Sequence, residues 1–405
     1  MTTFRDAESA LHDAARAATG LDDFGDDGYL EGLRVLLGSL DDDARLNEVG
    51  DLVSRAVIVD ALKARLHSEA GFTRFPQTAD EPIRQPIFIV GLPRTGTTAL
   101  HHLIAQNPAL QGLELWLSGT PKPRPPRASW PSDRDFLASD RTIRQLYARS
   151  PEMKAIHFMS AALPDECWRL FGQDFAHSSW EAQSYVPGYS RWWARHDMRP
   201  VYRRHRRNLQ LIGQPEPRRR WLLKDATHLF ALEALFEVYP DARVVQTHRD
   251  PTKLIGSVCS LCWSSRQPLS DHHDAEAFGR ATLALWERAI RSTMEVRRGL
   301  DPSRFYDLPF EKFLADPLGV VAEIHEWLGL EYSGEAEAGA RRFREANPPG
   351  KHGDHAYELS DWGLRAGEIL ERFGDYVEEF GLGGAAAGAT PGRKAGHVSR
   401  AGERS

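Results

Sequence analysis

The chain has 405 residues, 41% of them hydrophobic, three cysteines and a formal net charge of −6. That is enough apolar side chain for two or three average domains or one large α/β domain, and too few cysteines for a disulfide framework. Residues 1 to 43 carry eleven Asp/Glu and three Arg, a local −8 that leaves the remainder near +2, which argues against a general polyanion binder but suits a small anionic ligand held by local arginines.

The N-terminal stretch "MTTFRDAESALHDAARAATG" mixes acids and an arginine with no apolar run, and no segment reaches the ~18 apolar residues of a membrane span. A soluble, cytoplasmic protein is expected. Residues 5 to 67 read as helices, since Ala7, Leu11, Ala14 and Ala18, then Leu30, Leu33, Leu36 and Leu37, then Val53, Ala56, Val57 and Leu62 recur at helical spacing. From Pro82 the pattern changes: "PIFIV" is a short β-branched run bounded by proline and glycine, as a buried strand would be, and "ALHHLIAQNP" then places Leu100, Leu103 and Ile104 on one helical face. Residues 117 to 135, "LSGTPKPRPPRASWPSDRD", are too proline-rich for a helix or central strand and read as a surface excursion. Helical patterning returns over 139 to 215 with many aromatics, some of it suited to a lid. "RWLLK", "THLFALEALFEVYP", "ARVVQTHRDP" and "TKLIGSVCSLCWSS" then alternate strand and helix, which predicts a parallel, doubly wound sheet. The expected organisation is a helical N-terminal extension over 1–79, a P-loop-like α/β domain over 80–382 with an acceptor-side loop and lid at about 117–215, and a disordered tail over 383–405.

The chemistry concentrates in "PIFIVGLPRTGTTALHHLIAQNP". A nucleoside-triphosphate loop has the form G-x-x-x-x-G-K-[ST], its lysine reaching the β and γ phosphates and its hydroxyl holding Mg²⁺. Gly91 and Gly96 keep that separation, but Thr97 and Thr98 follow where Lys and Ser/Thr belong, and the cation comes earlier as Arg94. Such a loop still turns backbone N–H groups and a helix N-terminus toward an anion while lacking the residue that specifies a triphosphate. The alternative is a strand-to-helix turn with no ligand.

"PRTGTT" resembles the 5′-phosphosulfate loop of the sulfotransferases that use 3′-phosphoadenosine 5′-phosphosulfate (PAPS), and "THRDPTKLIGSVCS" resembles that family's second element, an arginine at a strand end and a serine eight residues on. "RWLLKDATHL", "YPDARVVQTHRDP" and "YELSDWGL" are similar to blocks of its large bacterial branch, with coverage of roughly residues 20 to 380. The resemblance implies PAPS as co-substrate, bound by Arg94, Thr95, Gly96, Thr97 and Thr98 at the 5′ end and by Arg249 and Ser257 at the 3′-phosphate, with no metal required. It implies His228 as general base and Lys224 as a contact to the bridging oxygen or the sulfate, in "LLKDATHL". The alternative for His228 is a histidine that caps or packs. Asp225 and Ala226 depart from the Ser and Pro frequent there, so Asp225 either orients or charges the histidine or neutralises Lys224. Ala99 stands where other members often stack a Trp on adenine. "NPPGKHGDHAY" is similar to the segment that closes over the 3′-phosphate, which adds Lys351, His352 and Gly353, or else it is an ordinary surface loop.

Other clusters read as structural: "CSLC" in a helix, "DHHDAE" in a loop, and "RRHRR" and "RRR" on solvated faces. The expected activity is sulfuryl transfer to a hydroxyl of a small molecule or lipid, without nucleic-acid partners. The competing reading is an ATP-dependent, kinase-like phosphotransferase. Trp180 to Trp193, with Trp116 and Trp130, either line an apolar acceptor pocket or pack.

Overall fold

The computed structural model describes residues 2–149, 158–348 and 358–383. Three helices open the chain: α1 (Glu8–Thr19), α2 (Tyr29–Asp42) and α3 (Glu48–Arg74), the last capped by Asn47, whose side chain accepts from the Gly50 N–H at 2.9 Å. Five strands follow at intervals, β1 (Ile87–Gly91), β2 (Leu110–Gln111), β3 (Arg220–Lys224), β4 (Arg243–His248) and β5 (Phe305–Pro309). They form one sheet in the order β2-β3-β1-β4-β5, and every pair is parallel. β1 is apolar throughout because it is central and covered on both faces.

Alternation along the strands sorts the side chains into two cores. Phe88, Val90, Leu223 and Val244 face one way, toward α1 to α3 and the aromatic segments, in one continuous apolar cluster. Ile87, Ile89, Leu222 and Val245 face the other, onto Leu100, Leu103 and Ile104 of α4 (Thr97–Ile104) and onto Val320, Val321 and Ile324. The N-terminal helices therefore share a core with the sheet.

Two strands escape the sequence reading, and both are edges. β2 is two residues long, and β5 reads "FYDLP", with an acid and a proline that suit an edge. The excursion over 117 to 135 also differs from expectation, for it is partly internal. Trp130 packs edge-on against Trp116 with ring centroids 5.6 Å apart, and buried Arg124 donates to the Glu114 carboxylate at 3.0 Å and to the Gly112 carbonyl. The aromatics Trp116, Trp130, Trp180, Tyr189 and Trp193 are core residues. No helix among the described residues is long and apolar enough to cross a membrane.

Arg65 of α3 is fully buried, and its guanidinium accounts for much of how the N-terminal helices are held. It donates to the carbonyls of Phe24 at 2.6 Å and Asp26 at 2.8 Å, pairs with Asp174 at 2.8 Å, and lies 4.2 Å over the Tyr29 ring. Burial pushes the Asp174 carboxyl up, against the pull of Arg204 and Arg65. Removing one member of such a buried pair strands the other, so Arg65→Met is expected to cost about 3–5 kcal/mol in urea unfolding. A loss under about 1 kcal/mol would show that Asp174 sits there as a neutral acid.

Candidate active site

The site forms at the carboxyl ends of β1, β3 and β4, where β1 has a neighbour on each side and the connections diverge. Gly91, the last residue of β1, lies opposite Thr247 of β4. A Cβ on Gly91 would stand 2.1 Å from the Thr247 hydroxyl oxygen, so only glycine lets the strands close up here. The Thr95 hydroxyl donates to the Leu92 carbonyl at 2.6 Å and meets the Thr247 hydroxyl at 2.6 Å. Thr95 thus braces the loop from inside, and Thr97 lines the cleft. Gly96 turns the chain into α4 at φ 82°, and no side chain caps that helix, whose first N–H groups face the loop.

Arg94 adopts φ 72°, a left-handed conformation that costs a non-glycine residue about 1–2 kcal/mol. The turn sends its guanidinium to Ser257, where Nε donates to Oγ at 3.2 Å, and presents its carbonyl to Arg249, whose Nη1 donates at 2.7 Å. Arg249 follows β4 directly, and Ser257 lies in the second turn of the helix Pro251–Arg266, which Asp250 caps by accepting from the Thr252 N–H at 2.9 Å. The Arg249 guanidinium rests 4.2 Å over the Phe310 ring, and a Cβ on Gly96 would stand 3.3 Å from that same ring. Arg94, Arg249 and Ser257, selected from distant stretches of sequence, therefore converge.

Beside the loop is a cleft of ≈ 270 Å³, walled by Trp168, Ala182, Leu261 and Trp286 and floored by Glu166, Lys224 and Asp225. Lys224, at the end of β3, donates to the Thr98 hydroxyl at 3.1 Å and forms a short ion pair with Glu166. Glu166 is the residue that sequence reasoning missed. Nothing in "PDECWRL" marks it; it reaches Lys224 because the next residue, Cys167, donates its N–H to the Lys224 carbonyl at 3.1 Å. Asp225 caps the turn Ala226–Phe230, its Oδ1 accepting from the Thr227 N–H at 2.7 Å. Burial first, and Glu166 second, pushes its carboxyl up to about 7.

That turn carries His228 away from the cleft. Its ring is wholly buried between Phe88 and Phe171, at centroid distances of 4.9 and 5.4 Å, and Nδ1 shares a 2.7 Å hydrogen bond with the Tyr202 hydroxyl. Burial holds its pKa well below that of ordinary histidine, so it is a neutral core side chain. Lys351, His352 and Gly353 lie outside the described residues. Of the remaining clusters, Cys259 is buried and Cys262 lines the cleft, with burial pushing both thiols up to about 12. Asp271 accepts from Asn47, and Asp274 caps the helix Ala275–Arg297. Among the described residues no group of three or more His, Cys, Asp or Glu could hold a metal ion.

Comparison with known proteins gives the family and the fold. Residues 86–334 match the sulfotransferase family, so the chain belongs to that family and is a transferase. The crystal structure of sulfotransferase STF1 from Mycobacterium tuberculosis H37Rv is similar to it with a TM-score of 0.85 and 39% identity, over 92% of this chain and 100% of that one. Sulfotransferase STF9 from Mycobacterium avium gives a TM-score of 0.86 at 27% identity, over 93% and 97%. The omega-hydroxy-beta-dihydromenaquinone-9 sulfotransferase Stf3 of Mycobacterium bovis is 26% identical over 318 residues, 73% of this chain and 75% of that protein.

The contact at Gly91 yields a direct check. Gly91→Ala forces the Thr247 hydroxyl aside and is expected to destabilise the protein by about 1–3 kcal/mol in chemical denaturation. Unchanged stability would mean that the loop is not pinned to β4.

Proposed function

We propose that the protein moves the sulfuryl group of PAPS to a hydroxyl on a small-molecule or lipid acceptor with an apolar body. The observation that carries this is the joining of Arg94 to both Ser257 and Arg249, which links a loop lacking the triphosphate lysine to a second cationic element. A donor with phosphates at both its 5′ and 3′ ends fits two such elements, and ATP does not. The fit is supported by glycine at 91 and 96, where the backbone comes close to its neighbours, and by an uncapped helix N-terminus.

In this reading the loop N–H groups with Thr97 and Thr98 hold the 5′-phosphate, while Arg249 and Ser257 hold the 3′-phosphate, with Lys351, His352 and Gly353 as further contacts there. Lys224, on the cleft floor, stabilises charge on the sulfuryl oxygens and on the leaving oxygen, the electrostatic work that in-line transfer demands, and Arg94, whose guanidinium meets Ser257, adds positive charge between the donor's two phosphates. Their charge suffices, so no metal ion enters the reading. The proton of the acceptor hydroxyl goes to a carboxylate on the cleft floor rather than to His228, because Glu166 and Asp225 line the cleft and His228 faces the core.

The apolar walls suit an acceptor that presents its hydroxyl at the end of a hydrophobic body. The name of the Stf3 relative describes such an acceptor, a hydroxylated menaquinone. A cytoplasmic location belongs to the same reading.

Labelled PAPS offered with long-chain primary alcohols and ω-hydroxylated isoprenoids, read by mass gain of one sulfate, tests the proposal. Arg249→Ala is expected to raise the KM for the donor about 10- to 100-fold, the worth of a lost charge-assisted contact, with a smaller change in kcat. Turnover that needed ATP and Mg²⁺ instead, or an Arg249→Ala enzyme with unchanged donor KM, would sink it.

A further inference from the structure

The geometry points to Asp225 as the general base of the transfer, its Oδ2 receiving the acceptor's hydroxyl proton. This rests on the sulfotransferase reading and names the group that the reading leaves open. Three side chains near the cleft floor could take a proton, and their surroundings separate them. His228 has an unpartnered Nε2 among the described residues, but the ring is enclosed by Phe88, Phe171 and Tyr202 and does not line the cleft. Glu166 lines the cleft, yet its carboxylate is committed to Lys224 in a short ion pair, and an ammonium at that range weakens a carboxylate as a base.

Asp225 combines a place in the cleft lining with a carboxyl oxygen that has no hydrogen-bond partner among the described residues. It lines the cleft, its residue is 2% exposed, and Oδ1 is fixed by the Thr227 N–H at 2.7 Å. That bond sets the plane of the carboxyl, and Oδ2 is then buried with no hydrogen-bond partner among the described residues. A buried acceptor oxygen without a donor is costly unless a ligand supplies one. The acceptor hydroxyl is such a donor.

The step balances without any further reactant. As the acceptor oxygen bonds to sulfur, its proton passes to Asp225 Oδ2. The bond from sulfur to the bridging oxygen breaks, and its electron pair leaves with the 5′-phosphate of adenosine 3′,5′-bisphosphate. Asp225 returns the proton to solvent once product departs.

The groups facing Asp225 are Lys224 at the end of the preceding strand, Glu166 and Cys167 on the segment across the cleft floor, and Tyr202 behind. Burial and Glu166 raise its carboxyl to about 7, while Thr227 and Lys224 oppose them. A base works best with a pKa near the operating pH, and it must be ionised to act. Transfer should therefore rise with pH through the neutral range. The anionic donor adds like charge and moves that limb upward.

The test measures sulfuryl loss from labelled PAPS, to 1-dodecanol as probe acceptor and to water without it, across pH. Asp225→Asn keeps an oxygen for the Thr227 N–H, and it is expected to lower turnover about 10²- to 10⁴-fold and erase the rising limb. Its affinity for adenosine 3′,5′-bisphosphate should stay within about threefold of the parent. Asp225→Glu should recover part of the rate, and Glu166→Gln should keep the limb. A turnover in Asp225→Asn within about threefold of the parent overturns the assignment, as does a limb lost in Glu166→Gln but kept in Asp225→Asn. Equal loss in the Asn and Glu variants together with lost bisphosphate affinity would make Asp225 structural and overturn it too. A parent enzyme that neither binds the bisphosphate nor consumes PAPS would instead sink the underlying reading.

Discussion

At the end of β1, Thr95 and Thr247 meet hydroxyl to hydroxyl over Gly91, and a single methyl group there would stand 2.1 Å from the Thr247 oxygen. This close approach fixes the loop against β4. Because the loop is held at Thr95, Arg94 can be driven into a left-handed conformation and kept there, which turns its side chain to Ser257 and its carbonyl to Arg249. Because β4 is held at Thr247, Arg249 leaves the strand two residues later at the height of the loop. Two arginine-bearing elements separated by more than a hundred and fifty residues thus share one scaffold. The strain at Arg94 is spent on their alignment.

Elsewhere the molecule divides its aromatic and charged residues between packing and chemistry. Most of the tryptophans in the aromatic stretch are internal, and they weld the N-terminal helices, the proline-rich segment and one face of the sheet into a continuous core. Trp168 and Trp286 face the cleft instead. Charge follows the same division: Arg65 and Arg124 satisfy buried carbonyls, while Lys224, Glu166 and Asp225 share the cleft floor. Three ionisable groups gathered at a strand end, with one oxygen unpaired among the described residues, are more than packing requires.

Much of the fold was legible because apolar runs and helical spacing are direct images of burial. β1, β3 and β4 stand out as central strands, whereas β2 is too short and β5 too polar to show a strand pattern. At the site, the fold brings Arg94, Arg249 and Ser257 together, and residues carried by a loop with a characteristic spacing could be read, which covers Gly91, Arg94, Gly96, Arg249 and Ser257. Two kinds of information could not. A glutamate brought to Lys224 by a backbone hydrogen bond from Cys167 leaves no spacing signal, and the five-residue turn Ala226–Phe230 after Asp225 decides whether His228 faces solvent or core. Thr95 is a similar case, because its hydroxyl, which looks free for a phosphate, is used within the loop.

The relation between the loop and its second cationic element is what distinguishes a phosphosulfate site from a triphosphate site. Titration calorimetry with three nucleotides measures it most directly. Adenosine 3′,5′-bisphosphate should bind about a hundredfold more tightly than AMP, since only the bisphosphate engages Arg249 and Ser257, and ATP with Mg²⁺ should gain nothing over AMP. Equal binding of the bisphosphate and AMP, or tighter binding of ATP with Mg²⁺, would contradict it.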